Sequence, residues 1–588
     1  MSNIKFVGLH AHSGVGSPFD GFGYPQEHMN YAYENGCEAL ALTDHGNMNG
    51  TAYQVLHAKK MKEQGKNFKP IFGVEAYFIE DVVEWRKKYE EHKADKVKAR
   101  RLSKEQSGTT IEAEGETKSK GSELNRSRHL VVLAMNQEGL NNIYKMISES
   151  YTDKYYYRKP RIDYELLNKY NSGVICLSAC LGGVYAGCYW SMREEGEEAV
   201  LECMREVTRR MVSILGDRWY GELQWNNVPE QHELNKYVIQ MHHEFGIKLV
   251  STADSHYPNP DAWKDRELYK RLGWLGRGKP EWLDMNLPTS VQEMEYELYP
   301  KNGDQMWESY QKYSTESGVE YDDEIVLQSI EETHRIAFER VEGFYPDDTV
   351  RLPNFVVPPG YTADNYLERL ASKGLFSLLK LNDQLSSREK YKLRLDHELK
   401  VIADRGFSKY FLTMKAIVDK TDEIQLSGPG RGSAAGSLVA YALGITQVDP
   451  IKYGLLFSRF LRADAKDYPD IDYDVSNPMA LKEKLIGDWG NNVVVPISNF
   501  STLQLKSLIK DVSKFYDVPF LEVNTVTNKM LFEATPLAKA KHGIKAGVYN
   551  PTFEEVIEFS ESLQKFFQTY PQIKEHVVGL VGQVRQVS

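Results

Sequence analysis

The chain is poor in cysteine, with five residues in 588. That odd handful is too few for a disulfide framework and points to a reducing compartment. Long apolar runs are also missing. Nothing approaches the roughly 20 residues that a membrane-spanning helix needs, and the amino terminus, MSNIKFVGLHAHS, has no signal-peptide core. Positive charge is not in excess: 72 Lys and Arg face 83 Asp and Glu, for a net charge of −11. This argues against a surface built to coat itself in polyanion, but leaves room for a local basic groove or for bound metal ions that hold phosphate. Repeats and low-complexity tracts are absent. With 41% hydrophobic and 26% charged residues, disorder and collagen-like architecture are excluded. The length exceeds one core and predicts two to four domains in a cytoplasmic protein.

The first 250 residues alternate short β-rich runs with amphipathic stretches. Strands are predicted at 5–9, 39–42, 70–78, 130–134, 174–177, 220–224 and 248–251, and helices at 25–35, 49–63, 194–215 and 229–245. Such β–α alternation predicts a parallel sheet with helices outside it, open or closed into a barrel. One segment interrupts the order. Residues 84–106 hold nine Lys or Arg against five Asp or Glu, and a Gly/Ser/Thr/Glu-rich stretch follows to 127. It reads as a solvated helix with a loop, or as a nucleic-acid-contacting arm. Beyond about 288 the pattern turns to longer helices, predicting domains at 1–290, 291–490 and 491–588.

Chemistry-bearing residues cluster at predicted strand ends. His10 and His12 follow the first strand, Asp20 comes shortly after, and Asp44 and His45 end the second. Glu75 lies in the third and His129 opens the next. Cys180, Glu222, Asp254 and His256 belong to later strands. The carboxyl ends of strands are where side chains converge in such folds. Imidazole, carboxylate and thiolate at one rim suit two or three borderline divalent ions, Zn²⁺, Mn²⁺ or Fe²⁺, and a multinuclear site of that kind hydrolyses phosphoesters.

The runs HAHS, FDG, TDHGN, GVEAYF, HLVVLA, LSACLGG and TADSHY resemble the polymerase and histidinol phosphatase (PHP) domain. In particular they resemble the PHP domain that opens the bacterial C-family replicative DNA polymerases, the DNA polymerase III alpha subunits. The resemblance implies a distorted β/α barrel with His10, His12, Asp20, His45, Glu75, His129, Cys180, Asp254 and His256 as metal ligands. It implies a 3′–5′ exonuclease or a related phosphoesterase, or a structural metal site.

A second constellation lies at 427–474. SGPGRGSAAGS precedes a helix-like LVAYALG, so glycines allow close backbone approach, helix-start N–H groups face an anion, and Arg431 and Ser433 add a cation and a hydroxyl. Downstream, YPDIDYDVS places Asp470, Asp472 and Asp474 two residues apart, on one face of an extended strand. Carboxylates so placed repel one another unless cations join them, and a pair of Mg²⁺ ions held by two of them is the arrangement of nucleotidyl transfer. The stretch from GPGRGSAAGS to YPDIDYD is highly similar to the palm of C-family polymerases, and the flanks RLPNFVVPPGYTADNYLERLASKGL and ISNFSTLQLKSLIKDV extend the match. By that similarity Asp472 and Asp474 are catalytic metal ligands, and Arg431, Gly432, Ser433 and Arg459 contact the incoming triphosphate. The implied fold is a multidomain α/β chain: a PHP barrel, a nucleotidyltransferase-like α+β palm, and a helical partial thumb.

There are departures from the family pattern. Val475 stands where the family usually has Phe, and Ser458 where it has Glu. RADA at 462–465 replaces an Asn-Pro-Glu-Arg turn, with Arg462 and Lys466 as stand-in cations, and Ser513 replaces a thumb glycine. The K-x-D-F-L-G segment that carries the family's third catalytic aspartate is not in these 588 residues. Asp511, on a predicted helix, is the one local substitute. The expectation is therefore a split, intein-interrupted or truncated polymerase. Its substrates would be dNTPs and primer–template DNA, and a second chain would bring the third aspartate, the fingers and the contacts to sliding clamp and clamp loader. It would act in the bacterial cytoplasm, host- or phage-encoded. The alternative is a stand-alone PHP phosphoesterase or exonuclease with a vestigial palm.

Overall fold

The computed structural model describes residues 4–105, 127–276, 288, 290, 294, 296–381, 388–464, 468–545 and 547–587. They form two compact units, Met1–Pro346 with Asn499–Ser588, and Asp347–Ser498.

The first unit is built on one six-stranded sheet whose spatial order follows the chain: β1 (Ala39–Leu42), β2 (Lys69–Phe78), β3 (Arg128–Ala134), β4 (Val174–Leu177), β5 (Trp219–Gln224) and β6 (Lys248–Thr252). ALAL in β1 and VICL in β4 are buried throughout, as strands covered on both faces must be. β2 is ten residues long and serves two neighbours. Its first four residues pair in parallel with β1, and the next six pair antiparallel with β3. β3 and β4 are also antiparallel, whereas β4–β5 and β5–β6 are parallel.

The all-parallel expectation therefore fails at β3. Phe78 faces Arg128 in the β2–β3 register, so the excursion between them leaves and re-enters at the same end of the sheet. That makes it a long hairpin connection rather than a crossover. The predicted strand at 5–9 forms no regular ladder. Instead Gly8 bridges Leu40 of β1, and Ala11 bridges Ser255 just beyond β6. The His12 N–H donates to Ser255 C=O at 2.7 Å and the Ser255 N–H to His10 C=O at 3.1 Å. This segment joins the two edges of the sheet and closes the ring.

Val7, Leu9, Ala41, Ile71, Val131, Leu133, Ile175, Leu177 and Val250 fill the barrel, and Ile336, Ala337 and Val341 join their cluster. Lys69 Nζ fixes that plug by donating to the carbonyls of Ala337 and Val341, both at 2.6 Å. Helices Gly303–Ser317 and Asp323–Arg335 place Met306, Tyr310, Tyr313, Val326 and Ile330 in the outer core. Their apolar faces are thus consumed by the barrel, and the first compact unit runs on past the boundary expected at 290/291 to Pro346.

The carboxyl-terminal helices also belong to this unit. Leu508, Ile509, Val512, Phe566 and Val577 share a core with Trp263, Leu268, Tyr269 and Leu272 of helix Trp263–Gly276. Strands β7 (Phe500–Thr502) and β8 (Val584–Val587) pair antiparallel. The turn before β8 is latched to an early loop: Gly23 N–H donates to Gln583 Oε1 at 3.2 Å and Tyr24 OH to Gly582 C=O at 2.8 Å. The charged stretch is helical over Val82–Glu105, and the rest of the predicted insertion lies outside the described residues. Against the expectation from cysteine scarcity, Cys188 and Cys203 are joined by a disulfide. They sit on consecutive helices, Val184–Met192 and Glu197–Leu215, that fold back on each other.

In the second unit, helices Ala363–Leu381, Arg388–Asp404 and Ser408–Asp422 pack around Leu367, Ala371, Leu395, Phe411 and Leu438. Among the described residues its extended chain pairs only at a bridge between Ser427 and Val475. Glu398, fully buried, organises the glycine loop's exit: it accepts from the Val439 N–H at 3.1 Å and Ser437 Oγ at 3.0 Å. Arg394 Nε donates to its other oxygen at 2.5 Å, while Arg394 Nη2 donates to Gly436 C=O at 2.9 Å.

Candidate metal centre and triphosphate loop

The closed ring delivers the candidate ligands to one rim. Because β3 runs antiparallel to β2, its second residue, His129, is paired with Tyr77, two residues along β2 from Glu75. Three overlapping groups form there: His12, His45 and His256; His10, His12 and Glu75; and His45, Glu75 and His129, each within 4.8 Å atom to atom. Each pair of groups shares a residue, as a multinuclear site requires. Asp254 Oδ1 is 3.2 Å from both His10 Nε2 and His12 Nε2, and His129 Nδ1 is 3.0 Å from Glu75 Oε1. Cys180 Sγ flanks His129 Nδ1 at 3.8 Å.

The donor atoms are unpaired in the way a bound cation would satisfy. His10 Nε2, His12 Nε2, His45 Nδ1, both Glu75 oxygens and Asp254 Oδ1 are buried with no hydrogen-bond partner. Orphaned polar atoms are costly, and six of them converging in one place fit divalent ions. Burial, with His45 and His256 nearby, pushes His12 down to about 3, which keeps it in the neutral form that ligates a cation. Burial pushes the Glu75 carboxyl up, but His129, His45 and His10 outweigh it and hold it well below its ordinary range.

Positioning residues stand behind the ligands. His10 Nδ1–H donates to buried Glu222 Oε1 at 2.8 Å, which turns Nε2 inward. Glu222 is itself fixed by Gln224 Nε2 at 3.0 Å and Thr252 Oγ1 at 2.5 Å. Glu222→Ala is expected to weaken metal affinity about 10–100-fold, measured by competition with a chelator of known affinity. Asp44 accepts from the Ser13 N–H at 2.7 Å, Ser13 Oγ at 2.9 Å and Ser17 Oγ at 3.0 Å, so it braces the His12 and His45 loops. Asp20 faces His45 Nε2 at 3.1 Å but also pairs with Arg266 Nη2 at 3.0 Å, at the half-exposed edge of the site. Phe19, Ala179 and Asp254, each at or next to a ligand, have left-handed φ values of 64°, 62° and 47°. Such backbone strain clusters where surrounding structure holds a site in place.

In the second unit the glycine loop and the acidic segment lie against each other. Gly428 N–H donates to Asp474 C=O at 2.9 Å. Asp470, Asp472 and Asp474 are exposed while Pro469 and Ile471 are buried, the predicted alternation. Arg431 Nη1 is 2.7 Å from Asp474 Oδ1. A Cβ on Gly432, whose φ is +65°, would fall 2.0 Å from Asp472 Oδ2. Gly432 thus lets the loop backbone come into direct contact with the Asp472 carboxylate. The hard oxygen donors of Asp472 and Asp474 suit Mg²⁺. Ser433 is exposed on the same loop, and Arg459 ends the short turn Phe457–Arg459, whose start packs on Gly436. Arg462, exposed, pairs with Asp464 at 2.7 Å; Lys466 lies outside the described residues. Asp511 pairs with Lys514 at 2.9 Å.

The PHP domain model matches residues 8–226, and the model for the bacterial DNA polymerase III alpha NTPase domain matches residues 365–586. DNA polymerase III subunit alpha of Aquifex aeolicus (strain VF5) is 34% identical over 523 residues, covering 88% of this chain and 40% of its own length. The corresponding subunit of Treponema pallidum (strain Nichols) is 30% identical over 597 residues, covering 99% of this chain and 44% of its own. The chain belongs to the DNA polymerase III alpha family. It spans 40–44% of the length of these relatives.

Within that family frame, the structure brings all nine rim residues named from sequence to one place. Six of them form the three tight groups, Asp254 bridges two histidines, and Asp20 and Cys180 stand at the periphery. Sequence reading missed Arg266, Ser13 and Ser17. Serine hydroxyls near a ligand carry no periodic signal, and Arg266 sits on a helix 246 residues from its partner.

Proposed function

We propose that this chain carries the metal-binding aspartates and triphosphate seat for template-directed DNA synthesis, with a separate metal centre that hydrolyses phosphoesters at DNA 3′ ends. The observation that carries the reading is the close contact of the glycine loop with the acidic segment, Gly432 against Asp472 and Arg431 on Asp474. Asp472 and Asp474 would hold two Mg²⁺ ions, and Arg431, Gly432, Ser433 and Arg459 would receive a dNTP. Bound there, Mg²⁺ supplies charge neutralisation at the transferring phosphoryl group and acidifies the primer hydroxyl. The third carboxylate and the fingers come from polymerase sequence beyond these 588 residues, which also supplies contacts to the sliding clamp and clamp loader. The place of action is the bacterial cytoplasm.

At the rim, His10, His12, Asp20, His45, Glu75, His129, Cys180, Asp254 and His256 would hold two or three ions of Zn²⁺, Mn²⁺ or Fe²⁺. In 3′-end hydrolysis, water adds to phosphorus, the bond to the 3′ oxygen breaks, and the terminal nucleotide leaves as a 5′-monophosphate. A second reading, a phosphoesterase with an idle palm, is favoured by one contrast. The rim is assembled entirely within one unit, whereas the palm shows two loop-facing carboxylates. The test is reconstitution: the chain alone and the chain mixed with the remaining family sequence are assayed for primer extension. Extension only in the mixture supports the polymerase reading. Hydrolysis without extension in both supports the phosphoesterase.

A further inference from the structure

Beside the metal centre lies a segment rich in tyrosine and cationic residues, YTDKYYYRKPR at 151–161, between helices Gln137–Ser150 and Tyr164–Lys169. Its anchoring is firm. Ile162 N–H donates to Tyr77 C=O at 2.8 Å and Ile79 N–H to Ile162 C=O at 2.9 Å, which lays the segment along the end of β2. Tyr157 and Lys159 bridge each other across a tight turn with Arg158, φ 59°, at its apex. Buried Arg161 locks that turn by donating from Nη1 to the carbonyls of Tyr157 at 2.6 Å and Lys159 at 2.9 Å, and its guanidinium lies over the Trp85 ring at 4.7 Å.

What the turn presents outward has no such structural employment. Tyr151 and Tyr156 are 49% and 43% exposed yet stack with ring centroids 5.7 Å apart and planes 22° apart. Lys159 holds its ammonium 4.2 Å from the Tyr77 ring and makes no ion pair with a described residue. Tyr77 in turn stacks on His45 at 5.9 Å and meets His129 edge-on at 5.6 Å. Pro160 comes so close to Gly46, the residue after ligand His45, that a Cβ there would meet its Cγ at 2.9 Å. Of the nearby carboxylates, Asp153 is exposed at the start of the segment, away from the 157–159 turn in sequence, and Asp163 accepts from the Leu166 N–H at 2.9 Å and the Val82 N–H at 3.3 Å. The track is therefore rigid, aromatic and cationic, and it ends on the metal-centre rim.

We propose that this segment is a binding site for the end of a single-stranded nucleic acid. Tyr151 and Tyr156 stack a base, Arg158 and Lys159 take the backbone phosphates, and Tyr77 is the last ring before the metal centre. Stacking on exposed rings beside a cationic groove is the general mode by which unpaired strands are held without sequence preference. The inference deepens the reading of the rim as a 3′-end phosphoesterase and rests on it for the direction of the strand.

The test is photocross-linking of the whole chain to an oligothymidylate carrying 5-iodouracil at its 3′ terminus, in EDTA, with the site located by peptide mass spectrometry. Cross-links on Tyr151 or Tyr156 are expected, retained in Tyr156→Phe and lost in Tyr151→Ala/Tyr156→Ala. With Mn²⁺ present, the double alanine variant should lower kcat/KM for 3′-end hydrolysis of the oligonucleotide about tenfold relative to that for bis(p-nitrophenyl) phosphate. Cross-links confined to other parts of the chain, or equal losses on both substrates, would overturn the proposal. Cross-links in the segment without any hydrolysis would uphold the binding site and sink the phosphoesterase reading instead.

Discussion

Replacing Asp472 with alanine should reduce primer extension by the reconstituted polymerase about a thousandfold or more, while 3′-end hydrolysis persists. The magnitude follows from removing a fixed charge that acts where negative charge develops in the transition state. The persistence follows from topology: Asp472 belongs to residues 347–498, whereas the rim is built from the other unit. Single-turnover extension with saturating dNTP isolates the chemical step. Gly432→Ala should reproduce most of the defect without touching a carboxylate. Its Cβ would sit 2.0 Å from Asp472 Oδ2, and its φ of +65° disfavours any side chain. A D472A enzyme that extends primers at a near-normal rate would remove Asp472 from the catalytic machinery.

Replacing His10 and His12 together with alanine should have the opposite signature. Metal content, read by plasma mass spectrometry after gel filtration, should fall. Hydrolysis should drop by more than the about 100-fold that loss of a merely orienting partner costs, and extension should survive. Stability changes with it. Glu75 and Asp254 carry buried oxygens with no hydrogen-bond partner, so a cation at thousandfold excess over its dissociation constant contributes about 4 kcal/mol that the variant forfeits. EDTA should therefore lower the melting temperature of the parent chain and leave that of the variant nearly unmoved. Equal metal content in both proteins would show that the histidines are not ligands.

The convergence of the rim residues was legible in sequence because they fall in step with strands. His10 and His12 flank one residue of an extended segment, and Asp254 and His256 do the same after β6. The orientation of β3 was not legible. RHLVVLA looks the same whether the chain enters from above or below, and only the return of the 79–127 excursion to its point of departure sets the direction. Asp44 and Glu222 looked like ligands by position, and burial alone does not separate a carboxylate facing a cavity from one facing serine hydroxyls or a histidine's back. The extent of the first compact unit, to Pro346, was not legible for a similar reason. Helices 303–317 and 323–335 have apolar faces that mark them as packed, but not against which core. Glu398 read as an ordinary helix residue, although it ties Ser437 and Val439 to a helix some 40 residues earlier.

The latch between Gly23–Tyr24 and Gly582–Gln583 has a consequence for biosynthesis. Its two halves are 560 residues apart, so at about 5–20 residues per second the ribosome needs roughly half a minute to two minutes to deliver the second. From the emergence of helix Trp263–Gly276 until the carboxyl-terminal helices follow, the nascent barrel displays the flank around Trp263, Leu268 and Leu272 to solvent, which makes that flank a natural client surface for chaperones during translation.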